Sequence, residues 1–150
     1  MAFDPACDIF LAVGSGVIND CCRVMAKAAG KMQMIVGTAP SMDGYASNSS
    51  CMIISGLKFS LYHGMPAAII ADTDIMKDAP MRMLWAGFGD MLAKYVSICE
   101  WRLAHLITGE YYCEEVAQLI RSALKRCTDN AQGLLKRDEQ AVQAVFEGLV

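Results

Sequence analysis

Three places in the chain gather residue types able to do chemistry. Gly14-Ser15-Gly16 is followed at once by Val17-Ile18-Asn19-Asp20. A glycine turn of this kind, between a strand and a helix, lets the main chain approach a pyrophosphate while the helix N-terminus offers free N–H groups. The turn lacks the third glycine of the full dinucleotide fingerprint, so a plain tight turn is the competing reading. Asp20 fits either a ligand contact or a first-turn carboxylate favoured by the helix dipole. The second place is Thr38-Ala39-Pro40-Ser41-Met42-Asp43-Gly44-Tyr45-Ala46-Ser47. Its hydroxyls at 38, 41 and 47 and its carboxylate at 43 suit phosphate, ribose or a polyol, or else serve as turn and cap residues. The third is Asp90, just after Gly87-Phe88-Gly89, with Lys94 four residues on and so on the same helix face. One carboxylate is an N-cap or one ligand of a metal site, and a catalytic zinc needs about three protein ligands. Lys94 is a solvated lysine or a partner for a substrate phosphate.

The elements that must position these residues alternate in the first half. Asp8–Val13 reads as a buried parallel strand, Val17–Ala29 as a helix with Gly30 as C-cap, and Met32–Val36 as a second strand, together a βαβ unit. Residues 41–50 form a loop at a strand's carboxyl end, where α/β sheets bind ligands. Cys51–Leu61, divided by Ser55-Gly56, is a hairpin or a bent strand, and Ala67–Ala71 is another buried strand. Near residue 77 the pattern turns all-helical. Asp78 and Pro80 signal a helix start, carrying Met81, Leu84, Trp85 and Phe88. A second helix is expected after Gly89, with Met91, Leu92, Tyr95, Ile98, Cys99, Leu103 and Leu106 on its apolar side, ending at Thr108-Gly109. Glu114–Cys127 carries Val116, Leu119, Ile120, Ala123 and Leu124, and a last helix starts at Asp138 with Ala141, Val142, Val145, Phe146 and Leu149.

Composition narrows the classes. The 150 residues hold 13 Lys and Arg against 16 Asp and Glu, a net charge of −3, which gives no footprint for nucleic acid or an anionic membrane. Hydrophobic residues make up 55% of the chain, yet no apolar run is long enough to span a bilayer and the N-terminus has no signal-peptide pattern. The excess apolar character implies surfaces that meet other polypeptide. The seven cysteines contain no CxxC pair, which argues for small buried thiols in a reducing cytoplasm rather than a disulfide or zinc framework. His63 and His105 read as packing or surface residues, and Arg82 and Glu100 as structural ion-pair partners.

GSGxIND, TAPSMDGYAS, AAIIADTDIM, the AP-x-RM-x-x-AGFGDMLAKY block, EWRLAH and GEYYC, in this order over residues 8–113, resemble sn-glycerol-1-phosphate dehydrogenases. That family sits in the larger group of iron- or zinc-dependent alcohol dehydrogenases, glycerol dehydrogenases and dehydroquinate synthases. TAPSMDGYAS is the most specific block. The resemblance implies an α/β fold: a partial parallel-sheet nucleotide-binding domain over 1–76, then the start of an all-helical metal and substrate domain over 77–150. It implies NAD or NADP contacts at Gly14, Ser15, Gly16, Val17, Ile18, Asn19 and Asp20, and at Thr38, Ala39, Pro40, Ser41 and Ser47. Asp43 matches a substrate residue, and Asp90 one that binds both metal and substrate. Related iron-dependent enzymes carry a histidine ligand where this chain has Lys94. The implied reaction is metal-assisted hydride transfer to dihydroxyacetone phosphate, with zinc ahead of nickel or iron, in a cytoplasmic homo-oligomer acting on a phosphorylated triose or polyol. Family members are more than twice as long and supply two histidine ligands later in the chain, so the 150 residues are expected to be an internal fragment, inactive alone. The alternatives are a glycerol dehydrogenase or dehydroquinate-synthase-like enzyme, and a non-catalytic self-associating module.

Overall fold

The computed structural model describes residues 4 and 6–150. Strand β1 (Ile9–Gly14) leads through Ser15 into α1 (Gly16–Ala29), and β2 (Met32–Gly37) returns parallel beside β1. Gly30 ends α1 in the left-handed region (φ 64°, ψ 30°), donating its N–H to the Ala26 and Lys27 carbonyls, which is the cap its lack of a Cβ favours. β5 (Ala68–Ala71) pairs parallel with the far side of β2, giving a three-stranded sheet in the order β1-β2-β5.

Between β2 and β5 lie the loop of residues 38–48 and a separate antiparallel hairpin, β3 (Ser49–Ile54) and β4 (Leu57–Tyr62). Ser55 (φ 52°) and Gly56 (φ 81°) form its two-residue turn, both left-handed, the geometry that matches strand twist. The hairpin reading of this stretch is therefore the right one.

A short α2 (Thr73–Met76), capped by the Asp72 carboxylate on the Asp74 N–H, introduces the helical region. There α3 (Met81–Thr108), α4 (Glu114–Asp129), α5 (Ala131–Leu135) and α6 (Glu139–Leu149) follow. The Asp138 side chain caps α6 on the Ala141 N–H at 3.2 Å. The α3 end is pinned by Trp101 Nε1–H donating to the Tyr111 carbonyl (2.7 Å) and by the ring nitrogen of His105 on the Glu110 carbonyl (2.6 Å). His105 is thus a surface residue holding a turn.

The architecture is a parallel sheet followed by a predominantly helical region, and one core joins them. Ala12 and Ile35 of the sheet, Tyr45 of the loop, and Leu84, Met91, Leu124, Val142, Val145 and Leu149 of the helices form one cluster. Tyr45 stacks against Phe146 at 5.3 Å between centroids with a 59° tilt.

Several expectations need correction. The two helices expected around Gly87–Gly89 are one, α3, because Gly87 serves packing and not a break. Asp90 accordingly lies inside a helix and not at a helix start, and Pro80, not Asp78, occupies the N-cap position. Among the cysteines only Cys127 is buried; Cys7, Cys51 and Cys99 are exposed, and all seven are free thiols. Arg82 and Glu100 are exposed, and neither is in an ion pair among the described residues. β1 is not buried on both faces: Ile9, Leu11 and Val13 are exposed. Val116 and Leu119 of α4 and Leu92, Tyr95, Leu103 and Leu106 of α3 are exposed too, so much of the apolar side of these helices meets no other part of the described chain.

Candidate functional site

The glycine turn and the 38–47 loop, far apart in sequence, lie against each other because both leave the carboxyl ends of adjacent parallel strands. Thr38 N–H donates to the Gly14 carbonyl at 3.1 Å. Ser15, at the N-cap of α1, bonds through its hydroxyl to the hydroxyl of Ser41 and makes no side-chain cap on its own helix. The first turn of α1 also contains no acidic residue. Its N–H groups and positive dipole end are therefore left for another acceptor. Val17 and Ile18 are exposed beside them.

Behind this turn the buried side of α1 is polar. Asn19 and Arg23 are 0% and 2% exposed. Asn19 donates to the Gly44 carbonyl (3.1 Å) and accepts from Gln33 Nε2 (2.9 Å). The Arg23 guanidinium donates to the carbonyls of Gly44 (2.9 Å), Tyr45 (3.2 Å) and Ser49, and pairs with Asp20 at 3.4 Å. The Tyr45 hydroxyl donates to the Ala39 carbonyl at 2.6 Å, and burial raises its pKa. The loop's shape is thus set by main-chain carbonyls gripped from α1 and by a tyrosine folded back on its own segment. Asn19 is fully engaged within the protein, whereas Asp20 is part-exposed and also accepts the Cys51 N–H at 3.2 Å. Burial pushes the Asp20 carboxyl above its ordinary value, against the Cys51 hydrogen bond and the Arg23 charge.

The helical region meets the loop at Gly87. A Cβ there would fall 1.8 Å from the Pro40 carbonyl oxygen, so only glycine permits this approach. One and two turns along α3, Asp90 and Lys94 reach Asp43, and the Lys94 ammonium pairs with the Asp43 carboxylate. Burial and the Asp43 charge raise the Asp90 pKa, opposed by a hydrogen bond from the Asp43 main chain and by Lys94.

A cleft of about 700 Å³ opens between the start of α1, the loop and β3, walled by Gly16, Val17, Asp20, Asp43, Ser47 and Cys51 among others. Thr38, Ala39 and Pro40 do not line it, Ala39 and Pro40 being buried, and Ser47, which does, bonds to Ser49 at 3.1 Å. Arg23, Tyr45 and Gly87 do as much as any residue to build this arrangement. In the sequence, only the (i, i+3) spacing of Arg23 from Asp20 and the position of Tyr45 inside the loop hint at it.

Residues 2–80 match the family described as iron-containing alcohol dehydrogenase. The chain belongs to this family. Among its relatives, the glycerol-1-phosphate dehydrogenase [NAD(P)+] of Halalkalibacterium halodurans is 37% identical over 143 residues, 95% of this chain and 36% of the relative. That of Hyperthermus butylicus is 37% identical over 149 residues, 99% of this chain and 42% of the relative. Among solved structures, glycerol dehydrogenase from Schizosaccharomyces pombe superposes with a TM-score of 0.82 at 22% identity, covering 98% of this chain and 40% of that one. A probable glycerol dehydrogenase from Sinorhizobium meliloti 1021 gives 0.79 at 24%, covering 95% and 43%. These two share the fold. The chain spans less than half the length of each of these relatives.

Within this family member, the cleft fits a nucleotide: an uncapped helix N-terminus, a glycine at the wall and hydroxyls opposite are the donor set for a pyrophosphate. The metal is a different case. Among the described residues no group of three or more His, Cys, Asp or Glu side chains is arranged to hold an ion. Asp90 with Asp43 supplies two carboxylates where a catalytic zinc takes about three ligands and an open position.

Proposed function

We propose that this chain carries the cofactor turn and substrate loop of an NAD(P)-dependent sn-glycerol-1-phosphate dehydrogenase. The observation that carries the reading is the joining of Ser15 to Ser41 over an α1 N-terminus with no side-chain cap, at the edge of the 700 Å³ cleft. In this reading Gly14 to Asp20 wrap the dinucleotide pyrophosphate, the α1 N–H groups meeting its charge. Thr38 to Ser41 and Ser47 complete the cofactor side. Asp43 and Asp90 accept hydrogen bonds from the hydroxyls of a triose or polyol, and Lys94 gives an ammonium beside them to a substrate phosphate. Lys94 is also what favours the phosphorylated substrate over glycerol, the runner-up. The two curated relatives, both named as NAD(P)+ glycerol-1-phosphate dehydrogenases, support the same choice.

NAD(P)H bound here would supply the hydride for dihydroxyacetone phosphate. This chain's residues bind and orient: the loop holds the dinucleotide against α1, while Asp43, Asp90 and Lys94 fix the substrate. Because Asp90 and Asp43 alone do not make a metal site, none of these roles passes through a metal. For the 150-residue chain we expect nucleotide binding without turnover. We also place the division between nucleotide-binding and helical parts at residues 76 and 77, and take the active enzyme to be a cytoplasmic homo-oligomer.

A fluorescence titration with NADH and NADPH tests this. Saturable binding is expected for the chain as it stands. It should be lost in Gly16→Val, whose side chain intrudes where a Cβ already meets Met42 Cγ at 3.2 Å. Failure of both nucleotides to saturate would sink the reading.

A further inference from the structure

A second, smaller pocket lies at the other end of α1. It has a volume of about 240 Å³ and is walled by Arg23, Lys27, Lys31, Gln33 and His63, with small and apolar residues filling the rest. Three cationic side chains and a histidine line it, and no carboxylate does. Asp20 and Asp8 balance Arg23 and Lys31 from outside its wall, at 3.4 Å and 3.8 Å, the latter through a carboxylate that is 91% exposed. Lys27 is exposed and has no ion-pair partner among the described residues.

Among the described residues, the buried side-chain polar atoms without a hydrogen-bond partner are Arg23 Nε, Gln33 Oε1 and His63 Nε2. All three belong to residues that wall this pocket. Arg23 and Gln33 are 2% and 6% exposed, so bulk water does not satisfy them. Native proteins leave few such atoms, and an unsatisfied cluster calls for a bound group. Two features define that group. The cations and the Arg23 Nε–H call for an anion rich in acceptors. The Gln33 Oε1, an acceptor, calls for one hydroxyl hydrogen on the same anion.

We propose that this pocket is a binding site for a hydrogen-phosphate group, either the free anion or the head of a compact phosphate monoester. The site is separate from the nucleotide cleft. Its α1 residues, Arg23 to Lys27, lie about 10–16 Å along the helix from its start at Gly16. Inorganic phosphate at neutral pH carries the hydroxyl that Gln33 needs and a monoester carries it as its monoanion, whereas sulfate carries none. The pocket's size admits phosphate with at most a few attached carbons.

Isothermal titration of the 150-residue chain with inorganic phosphate, in a phosphate-free buffer, tests the assignment. A single saturable site is expected, with sulfate weaker by about tenfold or more, the worth of one lost charge-assisted hydrogen bond. The Lys27→Ala, Lys31→Ala double variant changes two side chains at the pocket mouth and should weaken phosphate by a similar factor. Saturating NADH should leave the phosphate affinity unchanged. Methyl phosphate separates the two sources: tighter binding than inorganic phosphate marks an ester, weaker binding the free anion. The selectivity over sulfate is read on the unaltered chain and so stands even if the double variant misfolds. Absence of saturable phosphate binding would overturn the proposal. So would equal affinity for sulfate, an unchanged affinity in a folded double variant, or displacement by NADH.

Discussion

Lys94 sits where a cation can be held by carboxylates and still be handed to a ligand. It pairs with Asp43 across the junction of loop and α3, and about a quarter of its side chain remains exposed. A substrate phosphate arriving there would exchange one anionic partner for another, a small net change that favours phosphorylated over neutral substrates. In an active enzyme carrying this segment, Lys94→Ala should raise KM for dihydroxyacetone phosphate far more than for dihydroxyacetone. Equal effects on the two ketones would remove Lys94 from the substrate site. Asp20 gives a pH signature on the chain itself. Its folded pKa is raised, chiefly by burial, so the folded state binds its proton more tightly than the unfolded chain does. Stability linked to Asp20 is therefore greatest in acid, and it falls as pH rises from the unfolded value of about 4 through the folded one. Asp20→Asn should flatten that part of a stability–pH curve measured by urea unfolding from pH 4 to 7. An unchanged curve would mean that the Cys51 hydrogen bond and Arg23 offset the burial.

The elements around the loop hold it from two sides, and glycines mark how closely. At Gly87 a methyl group would collide with the Pro40 carbonyl, while at Gly89, two residues on, it would meet nothing within 4 Å. Gly87→Ala should therefore destabilise the chain by about 3 kcal/mol, the upper range for overpacking. Gly89→Ala, inside the same helix, should be neutral or stabilising by about 0.5–1 kcal/mol. Urea midpoints at constant slope would measure both, and equal effects would refute the close-packing account. On the other side, Arg23→Ala strips donors from three carbonyls and leaves Asp20 without its partner. A loss of about 3–5 kcal/mol is expected, together with weaker NADH binding. Arg23→Lys should restore part of the stability but less of the binding, because an ammonium cannot reproduce the planar fork. The same residues explain what was legible. Strands ending in glycine, the βαβ unit, the Asp138 cap and the fully buried face of α6 follow from periodicity and punctuation alone. The Gly87–Gly89 break did not survive, because a glycine that admits a neighbouring carbonyl looks in sequence like one that ends a helix. The buried stripe of α1 is Asn19, Arg23 and Ala26, helical in period but polar in content, so a search for apolar spacing passes over it.

At the scale of the whole molecule, the high apolar content has a visible location. Parallel strands are ordinarily covered on both faces. Here α1 lies over the face carrying Ala12, Gln33 and Ile35, while the register Ile9↔Met32, Leu11↔Met34 and Val13↔Val36 lines up side chains on the opposite face. Ile9, Leu11, Val13, Met32 and Ile70 there are all more than 40% exposed, with Ile70 extending the patch across β5. No described element covers them. The two loops and the helix turn that carry the candidate site residues were legible because their punctuation is local. The naked face was legible only as a surplus of hydrophobicity, because the strands' own pattern does not say which of their faces stays open. A contiguous apolar patch of this kind favours association in water. The chain should therefore bind an apolar dye such as ANS in its folded state and sediment as concentration-dependent oligomers. Leu11→Lys places a charge in the patch on a strand at the sheet edge, without touching the α1 side. It should reduce both signals while leaving the urea midpoint within about 0.5 kcal/mol, as expected of a surface substitution. If association persists undiminished in Leu11→Lys, the contact runs through the exposed side chains of α3 and α4 instead. Leu106→Lys and Leu119→Lys, both more than 70% exposed, would then abolish it.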